Sequence, residues 1–193
     1  MAVNFALSDA ARQWLSRLAR LSIDKGLANA DRVMPVPNED TSLAPADVAQ
    51  LSATLGAFVT LKIQDCLRGC IGAIVANAPL YENVWNMAYA AAFRDPRFPP
   101  LRPSEWKNCT VDISVLAKPT PCPNPDLIEV GRHGLILQFG GHTGVFLPQV
   151  PIEQGWDRLT YLNQLCGKAG LPAGTWQQAG AGLFWFEALV FEA

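Results

Sequence analysis

The sequence is short of most features that announce a function. It has two histidines, His133 and His142, so spacing alone assembles no zinc ligand set. There is no GxGxxG after a strand, no P-loop, no GxSxG elbow and no HExxH, which leaves the common cofactor, phosphate-transfer and hydrolase classes unsupported; no metal or cofactor is expected. The 15 basic residues are scattered, the net charge is −2, and neither a basic run nor an acidic tail occurs; nucleic-acid binding is disfavoured. The amino terminus, Met1-Ala2-Val3-Asn4-Phe5, lacks a charged lead and a long apolar run, and Asp9 and Arg12 follow at once. Neither a signal peptide nor a membrane span is expected, and the cytosol is the default location. Five cysteines (Cys66, Cys70, Cys109, Cys122, Cys166) are odd in number and widely spread, unlike a disulfide framework.

What is present describes a well-cored globular chain. Half of the 193 residues are hydrophobic and only 17% are charged. A chain of this length fits one domain, or one domain with two lobes, and buries about 70% of the surface exposed by its unfolded form.

Ser8 is placed to cap a helix to about Leu27, with Ala11, Trp14, Leu15, Leu18 and Leu21 at helical spacing. Residues 29–45 are polar and proline-containing, a surface loop, and a short helix over 46–55 should end at Gly56. From Ala57 the pattern turns to strands. Residues 57–63 and 66–74 flank the turn Gln64-Asp65 and should pair as antiparallel neighbours. Pro79 opens a helix through Phe93 that must stop near Asp95, before Pro96. Val111, Ile113 and Val115 alternate with polar residues in a half-buried strand, after which Pro119, Pro121, Pro123 and Pro125 should break all regular structure. Further strands are expected at 127–130, 134–139 and 145–147, the last two joined by Gly140-Gly141-His142-Thr143-Gly144. A helix over 156–168 should close at Gly170, and a final strand should run over 184–191. Strands joined mainly by hairpins, with helices set apart, give an α+β class: an antiparallel sheet covered by helices. One domain over 1–193 is expected, with a helical part at 1–55 and the sheet and remaining helices at 56–193.

Three segments carry candidate chemistry. In Leu67-Arg68-Gly69-Cys70-Ile71-Gly72, Arg68 and Cys70 are two apart on a strand and should leave one face. A guanidinium beside a thiol favours the nucleophilic thiolate, while Gly69 and Gly72 let a ligand or another backbone approach. The plainer alternative makes Cys70 a small buried hydrophobe and Arg68 an ion-pair partner. In Arg94-Asp95-Pro96-Arg97-Phe98-Pro99-Pro100, three prolines stiffen a charged loop that either binds an anion through Arg94 or Arg97, or pairs Asp95 with a neighbouring arginine. In Val130-Gly131-Arg132-His133-Gly134, His133 is either a proton carrier or a hydrogen-bonded turn residue. Each segment has glycine or proline shaping its backbone, as functional loops on a rigid scaffold have, and Arg68, Cys70, Asp95, Arg97 and His133 are expected to converge on one region.

Together these blocks resemble the AMMECR-one domain family, protein A of the AmmeMemoRadiSam system. The resemblance rests on Gly56-Ala57-Phe58-Val59-Thr60-Leu61 leading into the six-residue motif and on Asp95–Leu101. It continues through Glu129–Leu135, Leu147–Val150, Gly155-Trp156-Asp157 and Leu165–Pro172, all in family order. It implies a two-lobed α+β fold with a groove near the motif, and association with a Memo-like protein and a radical SAM protein. It implies no particular reaction. Two classes of function therefore stand side by side. One is a small-molecule-binding or cysteine-dependent modification protein, with Cys70 and His133 catalytic and Arg68, Gly69, Gly72, Asp95 and Arg97 binding ligand. The other is a non-catalytic interaction or scaffold domain.

Overall fold

The computed structural model describes residues 5–193 and divides into two compact units. The first runs to Leu116 and takes back Leu189–Ala193; the second is Ala117–Ala188. The change of pattern at Gly56 falls inside the first unit.

The first unit contains α1 (Asp9–Leu27), α2 (Pro45–Ser52), β1 (Gly56–Ile63), β2 (Cys66–Ala73), α3 (Leu80–Phe93), α4 (Pro103–Trp106) and β3 (Cys109–Leu116). Ser8 caps α1: its Oγ accepts from the Ala11 amide at 3.1 Å and donates to Asp47 Oδ1 at 2.5 Å, which fastens α2 to the start of α1. The apolar positions of α1 pack with Leu80, Val84, Ala88 and Ala91 of α3 and with Val59, Leu61, Val111 and Ile113 from the sheet in one core. β1 is central, antiparallel to both β2 and β3. Gln64 and Asp65 join β1 to β2 with φ of 50° and 61°, the left-handed pair that a two-residue hairpin turn requires. α2 stops at Ser52, three residues before the expected end, because Ala53 is extended and Gly56 already belongs to β1. The single turn α4 was not expected; Pro103 starts it and Glu105 closes it by accepting from the Arg102 amide at 2.9 Å.

The second unit contains β4 (Thr120–Pro121), β5 (His133–Phe139), β6 (His142–Phe146), α5 (Gln149–Glu153), α6 (Arg158–Lys168) and most of β7 (Gly182–Glu192). β7 pairs with β4 and β5, and β5 with β6, all antiparallel. Ile128, Leu135, Leu137, Tyr161, Leu162, Leu165 and Cys166 form its core, and Gly144 lets α6 approach β6 so closely that a Cβ there would lie 2.7 Å from the Leu165 carbonyl oxygen. Three expectations are corrected here. The proline run does not break all regular structure, because Pro121 lacks an amide but sits in a two-residue strand whose flanking amides, Ala117 and Cys122, donate to β7 carbonyls at 2.9 Å. Residues 127–130 are not a strand: Asn124 caps a 3₁₀ turn, Pro125–Leu127, that coils the chain there. The β5–β6 hairpin turns at Gly140-Gly141 alone, with His142 already opposite Phe139.

Both units are antiparallel sheets packed against helices, an α+β fold. Among the described residues no helix is long and apolar enough to cross a membrane.

Candidate functional site: the β2 motif and the loop it holds

The register of β2 decides where the motif's side chains go. Thr60 stands opposite Cys70 and Leu61 opposite Gly69, but Lys62 stands opposite Leu67. Arg68 is therefore an extra residue, a bulge in β2, and the strict alternation that would put Arg68 and Cys70 on one face is interrupted between them. That expectation is corrected by the register.

Arg68 is buried. Its Nε and Nη2 donate to Glu105 Oε1 and Oε2 at 2.8 and 3.1 Å, a two-pronged pair, and Nη2 also donates to the Pro99 carbonyl at 2.9 Å. The pair with Glu105 holds the Arg68 guanidinium protonated more firmly and holds the Glu105 carboxyl below its ordinary range. One side chain on β2 thus ties down both the proline loop and α4. Glu105 escaped the sequence reading; its only signal is an acid three residues after Arg102 in Arg102-Pro103-Ser104-Glu105, the pattern of a helix start.

Cys70 meets the same loop through its backbone. Its amide donates to Asp95 Oδ2 at 2.9 Å, and its carbonyl accepts from Arg97 Nη2 at 3.1 Å. Asp95, with a side chain only 2% exposed, accepts further from the Arg97 amide at 3.1 Å, from Arg97 Nε at 2.9 Å and from Arg97 Nη2 at 2.7 Å. Those donors, the Arg97 guanidinium first, overcome burial and hold the Asp95 carboxyl far below the usual carboxylate range. Arg97 is the outward partner, with 54% of its side chain exposed. The Phe98 ring is close to both arginines, 5.8 Å from the Arg68 guanidinium carbon and 5.5 Å from that of Arg97.

The thiol itself is half-buried, and Cys70 Sγ accepts from Thr60 Oγ1 at 3.2 Å. The two motif glycines answer to packing. A Cβ on Gly69 would lie 2.2 Å from the Ala91 carbonyl oxygen of α3, and one on Gly72 would lie 2.3 Å from the Phe58 ring. Ile71 packs against the core, and Leu67 is exposed.

His133 belongs to the second unit, as the first residue of β5. It is buried, its ring stacks on Trp185 at 4.5 Å, and its Nδ1 accepts from the Glu129 amide at 3.0 Å. Burial, then the neighbouring Arg132 charge, lowers its pKa, which keeps the ring neutral. Arg132 pairs with Glu187 at 2.7 Å and with Glu129 at 3.0 Å. The structure thus brings Arg68, Cys70, Asp95 and Arg97 together in the first unit and builds His133 into a turn of the second. Among the described residues no group of three or more His, Cys, Asp or Glu side chains is placed to hold a metal ion, and all five cysteines are free thiols.

The profile of the AMMECR1 family matches residues 16–191. The chain belongs to the AMMECR1 family. A protein of Thermococcus gammatolerans is 41% identical to it over 97% of this chain and 93% of its own length. Protein MK0488 of Methanopyrus kandleri is 40% identical over 93% of this chain and 87% of its own. The crystal structure of protein PH0010 from Pyrococcus horikoshii superimposes with a TM-score of 0.83 at 36% identity, covering 97% of this chain and 94% of that one. For this AMMECR1 chain the bulge, the two arginine–carboxylate pairs and the glycine contacts give a physical reason for each buried residue of the motif.

Proposed function

We propose that this AMMECR1 protein works by binding, and that its six-residue motif is the buttress of a preformed recognition loop, Asp95–Leu101, that docks a protein partner. The observation that carries this reading is that the loop engages the main chain of Cys70 and the buried head of Arg68, and not the thiol. A loop stiffened by Pro96, Pro99 and Pro100 and tied at both ends loses little entropy on binding. It presents Arg97 and the three prolines outward. The Memo-like and radical SAM proteins of the system are the partners to which this reading assigns the surface.

A second reading keeps the thiol. Cys70 is half-buried rather than sealed, beside the Thr60 hydroxyl, and an Arg97 charge is close by. On that reading the same region takes a small molecule or performs cysteine-dependent modification, with Arg97 as the binding cation.

Titration calorimetry of the purified chain against each of the two partner proteins separates them. On the docking reading one partner binds, Arg97→Glu weakens that binding at least tenfold, and Cys70→Ala leaves it within about twofold. Absence of binding to either partner sinks the docking reading. Loss of binding in a folded Cys70→Ala variant would give the thiol the leading role instead.

A further inference from the structure

A cavity of about 510 Å³ opens beside α1 in the first unit, and no residue of the β2 motif or of the Asp95–Leu101 loop lines it. Its volume lies within the range of about 300–1,000 Å³ usual for small-molecule sites. Trp14, Leu18, Leu21 and Pro35 supply an apolar wall. That wall is fixed: Trp14 and Leu18 are buried in the core, and Trp14 meets the Tyr81 ring edge-on at 6.3 Å.

The charged groups around the wall are not equivalent. Asp40 accepts from the Ser42 amide at 3.0 Å, from Ser42 Oγ at 2.5 Å and from the Trp14 indole at 3.1 Å, so its carboxylate holds the loop around it. Asp24 accepts from the Trp106 indole at 2.7 Å. Arg20 donates through Nε to the Ala193 carbonyl at 2.9 Å and lies over the Trp106 ring at 5.5 Å. Arg17 differs from all three. Its nearest carboxylate oxygen, on Asp40, is 3.9 Å away, beyond the distance of about 2.7–2.9 Å typical of a charge-assisted hydrogen bond. Its side chain is 63% exposed at the mouth.

We infer that this cavity binds a small organic monoanion, an aromatic body lying mainly against the half-buried Leu21 and Pro35 and reaching the edges of Trp14 and Leu18, with its carboxylate or sulfonate on Arg17. Both acids in the lining are held by indole donors, and Arg20 is held by a main-chain carbonyl, so Arg17 is the cation with donors to offer. A flat ring fits a wall made of one indole, two leucines and a proline, and an anion at the rim keeps its outer face in water, which lowers the desolvation penalty of binding.

The test uses 1-anilinonaphthalene-8-sulfonate, an aryl sulfonate, titrated into the full chain, with backbone amide spectra recorded in parallel. One saturable site per chain is expected, with amide shifts concentrated in residues 14–24 and 35–41. Arg17→Gln should weaken binding about tenfold, the loss of one charge-assisted hydrogen bond, and Arg17→Lys should recover most of it. Because Arg17 is exposed, neither variant threatens the fold, and the amide spectra check this directly. Shifts centred elsewhere, no saturable site, or equal affinity in wild type and Arg17→Gln would each overturn the inference.

Discussion

Each unit contains a carboxylate–arginine cluster beside a residue of apparent catalytic type, yet the two clusters are built differently. In the first, Asp95 is nearly sealed and Arg97 faces solvent, and the pair bonds the peptide group of Cys70, 25 residues away in sequence. In the second, Arg132 is one-third exposed and pairs with Glu129, three residues away, and with Glu187 on β7, while His133 next to it is stacked and hydrogen-bonded within its own turn. The first cluster joins segments 25 residues apart through a buried carboxylate and a peptide group; the second joins the entrance of β5 to β7, 55 residues on, through partly exposed side chains. Breaking them should therefore have unequal cost.

The largest effect is expected from Asp95→Ala. It removes the acceptor for the Cys70 amide and for three Arg97 donors, and should destabilise the chain by about 2–3 kcal/mol in denaturant unfolding. The same carboxylate makes acid stability a measure of the pair. Its folded-state pKa lies below the unfolded one, so its contribution is complete above the unfolded carboxylate pKa of about 4 and fades as pH falls below it. Asp95→Asn should flatten that part of the stability profile. A loss under about 0.5 kcal/mol in Asp95→Ala, the size of an ordinary surface change, would mean that the loop is held without the pair.

His133→Gln should have a smaller effect, visible in the pH profile. Burial lowers the folded-state pKa, so the unfolded chain binds the proton more readily and stability declines as pH falls below the unfolded value of about 6.5. The substitution should remove that decline between pH 6.5 and 5, at a cost of about 1 kcal/mol at neutral pH from the lost Glu129 bond and the Trp185 stack. A profile unchanged by the substitution would show that His133 does not titrate on unfolding.

Smallest of all should be Cys70→Ala. The main-chain bonds to Asp95 and Arg97 persist, and only the half-buried sulfur is lost. Destabilisation should stay under about 1 kcal/mol by the same unfolding assay. A loss as large as that of Asp95→Ala would erase the distinction between backbone and thiol on which the docking reading stands.

Much of this fold was legible in the residues. Ser8 with its helical apolar spacing defined α1, and two β-rich runs around Gln64-Asp65 defined the β1–β2 hairpin, because both signals are local. Pairing of Asp95 with a nearby arginine was among the alternatives for the same reason. What escaped was non-local. The bulge at Arg68 is a property of how β2 meets β1, and no spacing within β2 reveals it. Glu105 lies 37 residues from Arg68, with nothing local to name its partner. The tiny strand β4 exists only because β7 lies beside it, and Leu127 looked like a strand residue because the Asn124-Pro125 cap that coils it precedes the apolar run.

Among the described residues β2 ends the order of paired strands, so its outer backbone groups have no described strand beside them. Asp95 accepts the Cys70 amide and Arg97 donates to the Cys70 carbonyl, so one carboxylate and one guanidinium occupy the positions that a neighbouring chain's peptide groups would take. An exposed row of such groups invites strands from other molecules to add on, and charged side chains are one means by which proteins prevent it. The pair therefore bears on colloidal behaviour as well as on folding. It covers the Cys70 peptide groups on a rim of β2 that contains glycine and apolar residues, where an added strand would bond, and it does so with two side chains of one loop.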